Sequence, residues 1–173
     1  MAALPGSHSR SIGYNLNMLK PKLLRERAIL NSLDDVGITE KGGNNRGRDV
    51  ERIIKANGGV VGEPWCGDAV AAWYLEAGSK SVTRSWASVS ALSRLLTRIK
   101  LLNNVRRGHV VIYDFDHTGL FLRWVDKGKG IFEAVEGNTG DSGAVSDSKT
   151  GGDGVKIKQR NLSQVTHFYR VLR

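Results

Sequence analysis

Apolar residues recur at helical spacing through the first half of the chain and then switch to alternation. Leu23, Leu30 and Leu33 set a first helix that Gly37 closes, and Val50, Ile53 and Ile54 set a second, ahead of Asn57-Gly58-Gly59. A third starts at Cys66 behind Pro64, carries Ala69, Val70, Trp73 and Ala77 as its core face, and stops at Gly78. Val89, Leu92, Leu96 and Ile99 space a fourth. From Gly108 onward the pattern predicts short strands at 109–113, 118–125, 131–136, 155–160 and 166–172, parted by Gly-, Asp-, Asn- and Ser-rich turns. Residues 137–154 read as a long polar loop. Helices first and an antiparallel sheet after is an α+β layout.

Composition narrows the class. A chain of 173 residues with 40% hydrophobic content suits one soluble domain with a real core. No stretch approaches the roughly 18 apolar residues of a membrane span. Residues 1–20 carry no apolar h-region and read as a flexible leader without a secretory signal, leaving 21–173 as a single domain. One cysteine excludes an internal disulfide framework and suits a free thiol made in a reducing cytosol. Lys and Arg number 26 against 17 Asp and Glu, a net charge of +9 that draws the protein toward polyanions. The cations do not interleave with aromatics and no nucleic-acid-binding motif is present, so anionic envelope polymers are the expected partners rather than nucleic acid. They are placed on exposed helix faces (Arg84, Arg94, Arg98, Lys100, Arg106, Arg107) and on the last strands (Lys156, Lys158, Arg160, Arg170, Arg173).

The candidate chemistry lies at the edges of these elements. Cys66 stands at a helix start, where the helix dipole favours thiolate over thiol. His117 stands at a strand start, and Glu136 and Asn138 near the end of the next strand. A lone cysteine is more often a small buried hydrophobe. A cysteine, a histidine and an acid or amide in this order are nevertheless what a thiol hydrolase needs. In a regular strand Glu136 shares a face with Phe132 and Ala134, opposite Glu133 and Val135, so Glu136 is the first choice to orient the imidazole. Asn138 is the alternate orienter or a substrate contact. His109 begins a Val-Val-Ile-Tyr run and is the rival histidine; His8 and His167 lack a matching partner motif.

These segments carry a family resemblance. Pro64-Trp65-Cys66-Gly67-Asp68-Ala69-Val70, with Trp73 and Ala77-Gly78 after it, resembles the nucleophile segment of CHAP domains. Those are the cysteine- and histidine-dependent amidohydrolase/peptidases of bacterial and phage cell-wall lysis. Arg107-Gly108-His109-Val110-Val111-Ile112-Tyr113 resembles the family's Gly-Asp strand, His117-Thr118-Gly119 its His-Val-Gly, and Glu136-Gly137-Asn138 its Glu-x-Asn. Gly37-Ile38-Thr39-Glu40, followed by Gly42-Gly43-Asn44-Asn45, resembles the entry segment of a phage subgroup. The likeness spans roughly residues 23 to 173. Two positions depart from it: His109 stands where Asp is usual, and Asp116 where glycine usually precedes the histidine. The resemblance implies a papain-like fold, with N-terminal helices packed on a C-terminal antiparallel sheet. It also implies a monomeric, endolysin-like hydrolase of peptidoglycan amide bonds, made in the host cytoplasm and acting on the cell wall. Cys66 would attack the carbonyl, His117 would carry the proton, and the Cys66 N–H would help hold the oxyanion. No metal or other cofactor is needed, although Asp114 and Asp116 form a D-x-D pair of the kind that binds calcium in some CHAP domains.

Overall fold

The computed structural model describes residues 23–140 and 154–172. Four α-helices come first: α1 (Leu24–Asp34), α2 (Arg48–Ala56), α3 (Cys66–Glu76) and α4 (Val89–Leu95). Six strands follow: β1 (Thr97–Arg98), β2 (Val110–Tyr113), β3 (Thr118–Asp126), β4 (Ile131–Thr139), β5 (Gly154–Asn161) and β6 (Val165–Arg170). They form one antiparallel sheet in the order β1-β6-β2-β3-β4-β5. The predicted α+β layout, helices then sheet, is the one observed.

Three details differ from the sequence expectation. The fourth helix stops at Leu95, and Thr97–Arg98 instead pair with Tyr169 and Arg170 as an edge strand. The apolar spacing through Ile99 therefore belongs to two elements, because Ile99 packs beneath the sheet rather than on the helix. A 3-10 turn at Arg84–Ala87 was not predicted. Of the loop expected at 137–154, residues 137–139 extend β4 and Gly154 opens β5; the remainder of that loop, the 1–20 leader and His8 lie outside the described residues.

The two faces of the sheet are covered differently. On one face α1, α2 and α3 bury Ile29, Ile53, Val70 and Trp73 against Val110, Leu120 and Val135. Full burial of a side chain such as Val70 contributes roughly 1.5–3 kcal/mol, so α3, buried on all sides over its first nine residues, anchors the domain. Its first turn approaches the Arg84–Ala87 turn so closely that a Cβ on Gly67 would lie 2.5 Å from the Trp86 and Ala87 carbonyl oxygens. On the other face Phe121, Phe132 and Phe168 pack edge-on with Trp124, and Val105 and Ile99 close over them. Alternation along β4 divides the two cores: Val135 joins the helices, while Phe132 and Ala134 join the aromatics.

Candidate active site

The nucleophile position is built by the packing around the start of α3. Cys66 is the first residue of the helix, so its N–H has no carbonyl four residues back to bond. Trp65, fully buried, donates its indole N–H to Glu40 Oε1 at 3.1 Å, which ties the entry segment to the helix start. Asp68, in the first turn, accepts from Asn57 Nδ2 at 2.9 Å and from Arg84 Nη1 at 3.0 Å. Burial pushes the Asp68 pKa above the usual carboxylate range, and the Asn57 hydrogen bond and Arg84 charge oppose that rise. These contacts fix the helix start from both sides. Cys66 itself retains 7% of its surface.

His117 is held by a tight turn. The Tyr113 N–H donates to the His117 carbonyl at 3.0 Å, and Asp116 closes the turn at φ 55°. Glycine adopts that left-handed conformation most readily, and aspartate is one of the few other residues that tolerate it. The imidazole stacks on Tyr113 and Phe115, at 5.8 Å from each ring and within 17° of parallel. Its Nε2 lies 3.0 Å from Glu136 Oε2. The Cys66 side chain lies near enough to the ring to act on its charge.

Glu136 is completely buried, and four donors fill its acceptor sites. Oε1 accepts from the Tyr113 hydroxyl at 2.6 Å and from Arg160 Nε at 2.9 Å. Oε2 accepts from Arg160 Nη2 at 2.5 Å and from the His117 ring. The Arg160 guanidinium also lies over the Tyr113 and Phe115 rings, 5.1 Å from each. Gly119 makes room for this carboxylate: a Cβ there would stand 2.7 Å from Glu136 Cγ and from the Val135 carbonyl oxygen. Because Glu136 follows the parity of Phe132 and Ala134, it rises from the aromatic face, while Cys66 comes from the helix face. His117, at the end of the sheet, joins the two.

The electrostatics follow from these contacts. Burial opposes ionisation of Glu136, but the hydrogen bonds and charges of Arg160 and His117 overcome it and lower its pKa to about 2. Burial likewise opposes a charged His117, yet hydrogen bonds to Cys66 and Glu136, with their charges, raise its pKa to about 9. Both shifts favour the ionised pair, imidazolium beside carboxylate.

The structure thus pairs His117 with Glu136 and places Cys66 close enough to influence the ring. Asn138 lies two residues beyond Glu136, past a bulge in β4, at φ 56° and 6% exposed; the carboxylate facing the ring is that of Glu136. His109 sits at the opposite end of β2, four residues from Tyr113 and so roughly 13 Å away along the strand. Its Nδ1 accepts the Arg106 N–H at 3.1 Å, so a neutral histidine supplies the acceptor for that turn. His167 packs beside Tyr169. Asp114 and Asp116 belong to no group of three or more potential metal ligands among the described residues. Among the described residues, no helix is long and apolar enough to cross a membrane.

One expectation is corrected. Arg160 was grouped with the surface cations, but it is 2% exposed and is the main partner of Glu136. Lys158 is also buried, donating to the Gly140 carbonyl at 2.8 Å. Along β5 Lys158 and Arg160 face inward while Ile157 and Gln159 face out, and cations at the parity opposite to that of the apolar Ile157 were the available signal.

In sequence the chain matches no protein-family model and no curated protein. In structure it resembles RipD from Mycobacterium tuberculosis, described as a non-catalytic NlpC/p60 domain protein adapted to peptidoglycan binding. The likeness covers 88% of this chain and 100% of that one, at a TM-score of 0.51 and 18% identity. The fold is papain-like. In this papain-like frame the thiol lies at the start of a buried helix and the imidazole at the end of the facing sheet.

Proposed function

We propose that the protein is a cysteine hydrolase of bacterial peptidoglycan, an endopeptidase or N-acetylmuramoyl-L-alanine amidase of the endolysin type serving phage lysis. The observation that carries this reading is the buried His117–Glu136 pair beside Cys66, with every acceptor site of the glutamate filled. A fully desolvated, fully bonded carboxylate aimed at an imidazole near a thiol is an arrangement that suits catalysis. Cys66 Sγ attacks the amide carbonyl, and the Cys66 N–H faces the developing oxyanion. The imidazolium of His117 gives its proton to the leaving amine, and the acyl group remains as a thioester. His117, now neutral, draws a proton from the attacking water, and the tetrahedral intermediate expels the Cys66 thiolate with release of the carboxylic acid product, leaving thiolate beside imidazolium for the next cycle. Glu136 holds the ring and stabilises its charge throughout. The CHAP-like motifs and the net charge of +9 support a cell-wall substrate.

A second reading is a peptidoglycan-binding module without catalysis, favoured by the description of RipD. Clearing of a purified cell-wall suspension separates the two. Wild-type protein is expected to clear it, whereas Cys66→Ala is expected to bind the walls without clearing them. Binding without clearing by the wild type would establish the second reading.

A further inference from the structure

Away from Cys66, at the far edge of the sheet, a cleft of about 650 Å³ opens between β1, the 99–104 segment and the end of β6. Arg98, Lys100 and Arg170 line it, and all three are exposed. Among the described residues none of the three has a carboxylate partner, unlike Arg52, Arg84, Arg123 and Arg160. None of the eight lining residues is acidic. Ile99 and Leu101 give the cleft an apolar wall.

His109 supplies the wall nearest β2 and is more than nine-tenths buried. Its Nδ1 is occupied as an acceptor by the Arg106 N–H, so the neutral ring carries its proton on Nε2. That nitrogen has no partner among the described residues. The cleft is therefore lined by three uncompensated cations and a neutral histidine beside an apolar wall.

We propose that this cleft is a second binding site, separate from the Cys66 site, for a phosphodiester-linked polyol. Two guanidinium groups and an ammonium match the charge and acceptor oxygens of successive phosphates, and the His109 N–H adds a directed hydrogen bond. The aliphatic wall accommodates the carbon backbone of the polyol. Burial, then the charges of Arg25, Arg106 and Arg170, lowers the His109 pKa to about 4, so the ring stays a neutral donor where cations crowd it. Nucleic acid fits less well, because no Phe, Tyr or Trp lines the cleft to stack a base. The envelope as the source of such a polymer rests on the proposed function; the chemistry of the site does not. Binding here would hold the protein on a wall polymer while Cys66 works elsewhere on the surface.

The test is calorimetric titration of the full-length Cys66→Ala protein with a short poly(glycerol phosphate) at low salt. Use of that variant keeps the result independent of hydrolysis. Replacing Arg98 and Arg170 together by Ala is expected to weaken binding by about tenfold or more and to reduce the dependence of log affinity on log salt by about 2. Replacing the exposed pair Arg48 and Lys129 by Ala removes the same charge elsewhere and is expected to cost no more than about twofold. Equal losses from the two double variants would overturn the site. Tighter binding of oligothymidylate of equal charge, lost through the same two arginines, would overturn the polyol assignment.

Discussion

A buried histidine lies beyond each end of β2, His109 just before it and His117 across the turn that leads to β3, and the neighbours drive them in opposite directions. At one end His109 meets a main-chain N–H and a field of arginines; burial and those charges lower its pKa to about 4. At the other, burial acts in the same sense on His117, but Cys66 and the fully bonded Glu136 reverse it and raise the pKa to about 9. Burial is common to both, so it does not decide the outcome. What decides it is whether the surrounding charge is negative and fixed. At the His117 end that charge is fixed only because Arg160 and Tyr113 occupy the rest of the carboxylate.

Replacing each histidine breaks the comparison most severely. His117→Ala is expected to lower the rate of wall hydrolysis about 1,000-fold or more, since both the proton donor and the base are removed. His109→Gln, which keeps an acceptor for Arg106, is expected to change that rate by less than about twofold. The reverse order in a turbidity assay would place the site at the wrong end of β2.

Glu136→Gln sharpens the comparison by removing the negative charge alone. The rate is expected to fall about 100-fold, and the alkaline limb of the pH–rate profile to move from about 9 toward 6.5. Arg160 then loses its counter-charge in the interior, which is expected to cost about 3–5 kcal/mol in denaturant unfolding. An unmoved alkaline limb would mean that Glu136 does not set the imidazole's pKa. Arg160→Met is expected to cost less, about tenfold in rate, while raising the acid limb as the Glu136 pKa climbs from about 2.

The smallest effect is on stability. His117, raised above 6.5, contributes stability that is complete below that pH and is lost as pH rises through about 9. His109, lowered from 6.5, contributes stability present above 6.5 and lost as pH falls toward about 4. The drop in Tm between pH 6.5 and 4 is therefore expected to shrink in His109→Gln. An unchanged drop would show that His109 does not titrate as its surroundings require.

The legible parts of the sequence were those with local periodicity. Helical spacing located the four helices, and strand parity singled out Glu136 over Glu133, which in the structure pairs instead with exposed Arg123. Arg160 was missed because its partner lies 24 residues away across β4 and β5, and a charged residue in a polar strand reads as surface. The edge strand at Thr97–Arg98 was missed because two residues carry no alternation; their place is set by pairing with β6. Asp116 stood out as an odd residue, but only the backbone showed that its position needs a left-handed turn.

Mass spectrometry of fragments released from purified peptidoglycan tests the central claim, that Cys66, His117 and Glu136 together hydrolyse a wall amide. The wild-type protein is expected to release fragments carrying one new carboxylate and one new amine per cut, at a single type of amide bond, with none from Cys66→Ala. Folded wild-type protein that binds the walls but yields no new amine, or a Cys66→Ala variant that yields the same fragments, would contradict it.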